Sequence, residues 1–440
     1  MKHIYLLFLS VFTLGILSAQ QVNFEEYNLD NGLHVILHQD NKAPVVTTGV
    51  MYHIGAKDEV DGRTGFAHFF EHLLFEGTVN IERGKWFDIV SAQGGTNNAN
   101  TTQDRTYYYE TFPSNSLELG LWMESERMLH PVINEIGVET QNEVVKEEKR
   151  QRIDNAPYGK VIYRTGINKY LFDKHPYARS VIGSMQDLDS AKLEEFIAFN
   201  QKYYNPNNAV LVVAGDIDIP RTKKMITDYF ADIPNNHEAI KRTVTKEVPI
   251  TTAIKATEYD SNIQIPLKIL AYRTPGQKER DAYVLDYISA ILTGGKSSRM
   301  YKKMVDDKKI ALQVLAFSDA QEDYGTYIMG ALPLGDVSLE TLKKEMDEEI
   351  EKLQTKLISD RELQKLKNQF EDNFVNSNSR VQGIANSLAR YYMLYGDTDL
   401  INKEIEIYRS ITKEDIQRVA KEYLNKNQRL DLDYLPKPVE

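Results

Sequence analysis

His68, Glu71 and His72 stand within Gly65-Phe66-Ala67-His68-Phe69-Phe70-Glu71-His72-Leu73-Leu74-Phe75-Glu76-Gly77-Thr78, two imidazoles four residues apart with a carboxylate between them. On an α-helix each residue turns by about 100°, so His68 and His72 lie one above the other, with Glu71 in the same arc. Imidazoles so placed can share one Zn²⁺ at about 2.0–2.1 Å each; a catalytic zinc then needs a third protein ligand and an open position for water. A neighbouring carboxylate can take a proton from that water as it attacks a carbonyl. A histidine pair at this spacing also occurs as a plain surface or core feature. Here Phe66, Phe69, Phe70, Leu73, Leu74 and Phe75 surround it. In a buried helix, imidazoles and carboxylates need partners, and a metal can supply one.

The elements that must hold this helix are legible on either side of it. Residues 22–28 and 33–38 are predicted strands flanking the turn signal Asp30-Asn31-Gly32. Residues 45–54 form another strand, and a polar loop, 55–64, leads into the helix. Gly94-Gly95 opens a strand through Asn100, and Thr106-Tyr107-Tyr108-Tyr109-Glu110-Thr111-Phe112 is a further strand. Helices are predicted over 114–129, 136–153 and 191–204, then a strand over 209–214. After a polar, Pro/Asn-opened stretch, the second half gives strands at 263–272 and 430–435. Its helices are predicted at 281–292, 298–305, 339–357, 360–376, 381–394 and 413–424.

The two halves read as copies. Residues 191–209 and 412–430 share a helix–Asn loop–strand pattern, with Asn205 and Asn425 220 positions apart. At that offset His68, Glu71 and His72 map onto Ile288, Ile291 and Leu292, so the second copy keeps a helix and loses its chemistry. A repeat this long means duplicated domains rather than a solenoid.

A chain of 440 residues is expected to hold two or three domains. Its net charge of −11 argues against a nucleic-acid binder. Lys2, an apolar run over 4–17 and the small residues Ser18-Ala19 read as a signal peptide, residues 1–20, cut after Ala19 or Gln20. An uncleaved anchor is the alternative. The expected location is periplasmic or secreted, with no transmembrane segment after signal removal. Cysteine is absent, which excludes lipid attachment to an N-terminal cysteine, disulfides and thiolate metal sites.

His-x-x-Glu-His is the inverted zinc-peptidase motif, and the sequence resembles the pitrilysin, insulysin and mitochondrial processing peptidase family of zinc metallopeptidases. The resemblance spans about 22–435 and implies an α+β fold: two duplicated α/β-roll domains, each a mostly antiparallel sheet with helices on one face, together half of a clam-shell. The implied division is a catalytic domain, 21–235, a linker, 236–256, and an inactive repeat, 257–440. It implies one Zn²⁺ per chain, with Glu71 as general base and Glu148 as third ligand, 76 residues after His72. Glu147 is the neighbour with which Glu148 could be confused; by itself the run Glu143–Arg150 reads as a solvated helix face. Family members commonly carry a glutamate seven residues before the ligand glutamate, where this chain has Gln141. Asn98 and Ala99 match the family's substrate-binding edge strand, onto which a peptide adds as an extra strand.

An arginine and a tyrosine from the second half often reach substrate in the family; Arg380, Arg390, Tyr391 and Tyr392 are candidates here. Gly294-Gly295-Lys296-Ser297-Ser298-Arg299 lacks P-loop spacing and matches a family turn near the substrate chamber. The implied partners are peptide substrates and a second chain, giving a homodimer or a heterodimer with a related peptidase-like subunit. The first functional expectation is thus a zinc-dependent endopeptidase for peptides or unfolded segments. The alternatives are a non-catalytic peptide-binding subunit of a two-chain peptidase and a structural zinc site.

Overall fold

The computed structural model describes residues 21–236, 240–242 and 244–438; the expected signal segment lies outside them. Alternating and continuous apolar runs in these residues form two sheets. The first contains β1 (Glu25–Asn28), β2 (His34–Gln39), β3 (Val45–Tyr52), β4 (Thr96–Thr101), β5 (Thr106–Pro113) and β6 (Ala209–Gly215), in the order β1-β2-β6-β3-β5-β4. The second contains β7 (Ile254–Asp260), β8 (Leu267–Pro275), β9 (Ala311–Ala320), β10 (Tyr324–Pro333) and β11 (Arg429–Pro436), in the order β7-β11-β8-β10-β9. In each, one pair is parallel, β2 with β6 and β7 with β11, and the rest are antiparallel. Leaving β1 aside, the two orders coincide strand for strand, and β6 and β11 start 220 residues apart. The duplication is therefore one of topology.

Strand β6, Ala-Val-Leu-Val-Val-Ala-Gly, is buried throughout. Such a run needs cover on both faces. Leu211 and Val213 meet helices of their own half, including Phe66–Leu73, Leu117–Leu129 and Leu193–Tyr203. Val210, Val212 and Ala214 meet Ile384, Ala385, Leu388 and Ala389, on the helix Val381–Arg390 of the other half. The exchange is mutual. The second sheet packs one face on Arg280–Thr293, Leu339–Thr355 and Lys413–Tyr423. Its other face receives Ile167 and Leu171 from Thr165–Leu171, which meet Ile269, Ala271, Leu430 and Leu432. Shifted by 220, the helix Thr165–Leu171 overlaps Val381–Arg390, so equivalent helices swap places. Each half thus covers the other, and the irregular connection between them does not leave two loose bodies.

Several boundaries differ from the sequence expectation. The first residues of β7 fall inside the expected linker, 236–256, because Ile254–Asp260 shows every second side chain to solvent and so looks polar. Strand β8 starts after Pro266, which has no N–H to give to a ladder, and not at 263. The helices expected over 136–153 and 381–394 leave α geometry at Lys149 and Arg390 and finish as π-turns. The 298–305 segment is largely a π-turn, Tyr301–Asp307. Helices Trp86–Ala92, Ile219–Phe230 and Leu400–Arg409 and the β9–β10 hairpin were not anticipated. That hairpin turns through Gln321-Glu322-Asp323, without the Asn-Gly type of signal. Among the described residues no helix is long and apolar enough to cross a membrane.

Candidate metal centre and active site

The motif helix is only eight residues long, Phe66–Leu73, and is held from outside at both ends. Gly65, at φ 92°, offers no capping side chain, and a Cβ there would fall 2.7 Å from the Ile182 carbonyl oxygen. The buried carboxylate of Glu59 replaces the cap, accepting from the backbone N–H groups of Gly65 (2.8 Å) and Ala67 (2.9 Å). Burial pushes Glu59 up to about 8, against those two donors and Arg179. At the other end Arg127 donates to the Leu74 carbonyl (2.9 Å) and the Tyr108 hydroxyl to that of Phe70 (2.7 Å). A cation complements the carbonyl end of a helix. Between them Phe66 stacks on Phe196 at 4.5 Å and Phe70 on Phe199 at 5.4 Å.

So fixed, the helix aims His68 and His72 at the end of the helix Glu135–Lys149. There Glu148 Oε2 lies 3.0 Å from His72 Nε2 and 3.6 Å from His68 Nε2. The three side chains bring one donor atom each within 4.8 Å of one another. Ligands about 2.0–2.2 Å from a tetrahedral Zn²⁺ stand about 3.3–3.6 Å apart, so the donors fit that ion in type and spacing. Burial first, then the charge of His72, pulls His68 down to about 4, which keeps its imidazole neutral as ligation requires. For Glu148 burial acts upward. Its bond from His72 leads the opposing influences, with the electrostatic pull of the histidine pair and Arg152 behind it, and together they hold it below the usual carboxylate range. Arg152 grips the second oxygen, Oε1, at 2.6 Å. Glu147 faces away and bonds Gln151 (2.9 Å) and Arg150 (3.2 Å). Gln141 lies two turns earlier on this helix and donates to Glu76, not to the histidines.

Glu71 stands beside the cluster, and its Oε2 accepts from the Thr101 hydroxyl at 2.6 Å. Burial raises Glu71, opposed by Thr101, His72 and Arg105. Thr101 ends β4, the outermost strand of the first sheet, which pairs with β5 alone. Asn98 is exposed on that strand and Ala99 buried. A cavity of about 750 Å³ takes in His68, Glu71, His72 and Glu148, the strand residues Asn98 to Thr101, and Tyr324 of β10. The opposite wall therefore comes from the second half of the chain. The equivalent helix there, Arg280–Thr293, carries buried Ile288, Ile291 and Leu292 and offers no ligand at these positions.

The second-half candidates lie outside this cavity. Arg390 faces Tyr391, Tyr395 and Glu404, and Tyr392 stacks on His34 at 3.5 Å. Arg380 lines a groove with His38 and Asp40 and a second one with Asn100 and Arg105, beside β4. Neither these four residues nor Arg299, paired with Glu362 at 2.6 Å, line the cavity of the histidine pair. Sequence reading missed Glu59, Thr101 and Arg127. An acid six residues before a capless glycine is a weak signal for the first. For the others, contacts 30 and 53 residues apart leave none.

A duplicated two-sheet α+β protein with one converging His–His–Glu set and a carboxylate between the histidines defines a metallopeptidase class. Comparison with known proteins narrows it. Residues 34–184 match the model "Insulinase (Peptidase family M16)" and residues 190–370 match "Peptidase M16 inactive domain". Zinc protease PqqE of Helicobacter pylori is 31% identical over 409 residues, 92% of this chain and 91% of that protein. An uncharacterized zinc protease of Rickettsia felis is 24% identical over 399 residues, 90% of this chain and 94% of the other. The crystal structure of a protease from Helicobacter pylori superposes with a TM-score of 0.88 at 29% identity, over 95% of this chain and all (100%) of that one. Pitrilysin shares the fold, with a TM-score of 0.76 at 17% identity; the match covers 96% of this chain and 46% of pitrilysin. The chain belongs to the insulinase family, peptidase family M16, and is of its short two-domain type.

Proposed function

We propose that the chain is a zinc-dependent endopeptidase acting on peptides or unfolded protein segments. The observation that supports this best is the placement of His68, His72 and Glu148 around one point, with Glu71 and the open edge of β4 in the same cavity. His68, His72 and Glu148 hold one Zn²⁺. When bound it supplies a Lewis acid for the scissile carbonyl and makes an attacking water more acidic. Glu71 takes the proton of that water and passes it to the leaving amine. Burial suits it to both tasks, because a carboxyl group raised in pKa is a stronger base and is more readily protonated in turn. Thr101 fixes one Glu71 oxygen and leaves the other for the water. His72 does most to hold Glu148 below the usual carboxylate range, and Arg152 adds to it while engaging the second oxygen, Oε1.

The substrate lies along β4 as an added strand, with Asn98 and Ala99 beside its backbone. Main-chain pairing of this kind accepts many sequences. The chain matches less than half of pitrilysin, 46%. A second copy, or a related subunit, closes the chamber over the cavity. With residues 1–20 read as a signal peptide, the site of action is periplasmic or outside the cell.

The test is turnover of a mixed peptide pool by the purified mature chain, with metal content measured in parallel. The proposal expects one zinc per chain, cleavage abolished by a chelator and restored by zinc. Cleavage indifferent to the chelator would overturn it. Activity that appears only on mixing with a related chain would move the reading to the two-subunit form.

A further inference from the structure

The tip of the β4–β5 hairpin, Thr102 to Arg105, follows directly on the Thr101 that holds Glu71, and it is gripped from two sides. From one side comes the segment before the motif helix. The N–H groups of Ala56 and Lys57 donate to the carbonyls of Thr102 (3.2 Å) and Gln103 (2.9 Å). The approach is so close that a Cβ on Gly55 would fall 2.4 Å from the Gln103 carbonyl. From the other side comes the β9–β10 turn of the second half. The N–H of Glu322 donates to Asp104 Oδ2 at 2.9 Å. The Tyr177 hydroxyl donates to Asp104 Oδ1 at 2.5 Å and accepts from the N–H of Asp323 at 3.1 Å.

The charges close around one lysine. Lys57 Nζ lies 3.0 Å from Asp104, 2.7 Å from Glu322 and 3.4 Å from Asp323, and its side chain is only 8% exposed. His53 and His175 face the outer carboxylates, at 2.9 Å from Glu322 and 3.2 Å from Asp323. Three carboxylates converge here, and without the lysine they would repel one another at short range.

We infer that Lys57, with the β9–β10 turn it engages, is a positioning device for catalysis. It locks the catalytically silent half of the chain onto Asp104, and so fixes the edge strand and the hydroxyl of Thr101 against Glu71. The inference rests on the peptidase reading for its kinetic effect, but the hairpin's rigidity can be measured without activity. A small misplacement of a catalytic group costs up to about 100-fold in rate, so the expected loss in kcat for Lys57→Met is about 10- to 100-fold.

The test uses zinc-loaded full-length protein, wild type, Lys57→Met, Thr101→Val and the double variant. The first readout is amide hydrogen exchange of residues 101–105, which is expected to quicken in Lys57→Met while zinc per chain stays the same. The second is kcat and KM on a fluorogenic peptide that wild type cleaves. If Lys57 acts through Thr101, the two single losses in kcat do not multiply in the double variant. Lys57→Arg, which keeps the charge, is expected to restore part of the rate. Exchange at 101–105 equal to wild type would overturn the inference, as would losses that multiply in full. If wild type proves inactive the peptidase reading fails alone, and the exchange experiment still decides the clamp. If Lys57→Met does not fold, Glu322→Gln keeps the lysine and is expected to shift exchange and kcat in the same direction by less.

Discussion

Replacing Arg127 by methionine tests how the motif helix is held. The guanidinium is fully buried and donates to Glu110 (3.0 Å), to Glu124 (3.2 Å) and to the carbonyl at the helix end. Its charge lies 4.0 Å from the Trp86 ring and 4.4 Å from those of Phe75 and Tyr108. Glu110 is pushed far above the carboxylate range, by burial first and then by the charge of Glu124, against Arg127. Methionine fills much of the volume, so the cavity term is small. What remains is a buried acidic pair, Glu110 and Glu124, without its cation, at a cost of about 3–5 kcal/mol. With a urea slope of about 2–3 kcal/mol per molar, the unfolding midpoint falls by about 1–2.5 M. The two tryptophans, Trp86 and Trp122, both lie in the first half, so fluorescence reads that half selectively. Arg127→Met/Glu124→Gln takes one acid out of the stranded pair and is expected to recover most of the loss. A single variant within about 1 kcal/mol of wild type, or a double variant no better than the single, would refute the reasoning.

Glu148→Gln should lose zinc at concentrations that saturate wild type, whereas Glu147→Gln should keep it; equilibrium dialysis with metal analysis decides, and the reverse result would place the ligand one residue away. Glu59 predicts a pH effect. Its folded-state value, raised from 4.5 to about 8, means that the unfolded chain releases the proton first. The contribution to stability is therefore full below about pH 4.5 and is lost as pH rises towards 8. Glu59→Gln should have a lower urea midpoint at acid pH, because one of the two accepted helix N–H bonds goes, but a shallower decline between pH 5 and 8. A decline parallel to wild type would contradict the assignment.

The histidine pair, the duplication and most strands were legible because each is written in local spacing. His68 and His72 need only a helix to face one way, and β6 declares itself by an unbroken apolar run. Glu148 was not legible from its own neighbourhood: Glu143 to Arg150 has the charge pattern of a solvated face, and the residue turned inward is fixed by a fold that brings two distant helices together. The same applies to Arg127, whose charge within Ser125-Glu126-Arg127-Met128-Leu129 reads as surface yet sits in an aromatic box. The β9–β10 hairpin was missed because its turn carries the acids that meet Lys57 instead of turn-forming residues. Which second-half arginine or tyrosine faces a substrate was not legible, because it depends on contacts such as Arg390 with Glu404 and Tyr392 with His34 that join distant segments.

The claim at the centre is that Glu71 performs the proton transfers and is not a ligand. Glu71→Gln is nearly isosteric and leaves His68, His72, Glu148 and the edge strand intact. The decisive measurement is kcat on a fluorogenic peptide for wild type and Glu71→Gln, with zinc and peptide affinity determined on the same preparations. The account predicts full zinc content, peptide binding close to wild type, and a rate lower by at least about 10²–10⁴-fold. Wild-type turnover by the zinc-loaded variant would contradict it.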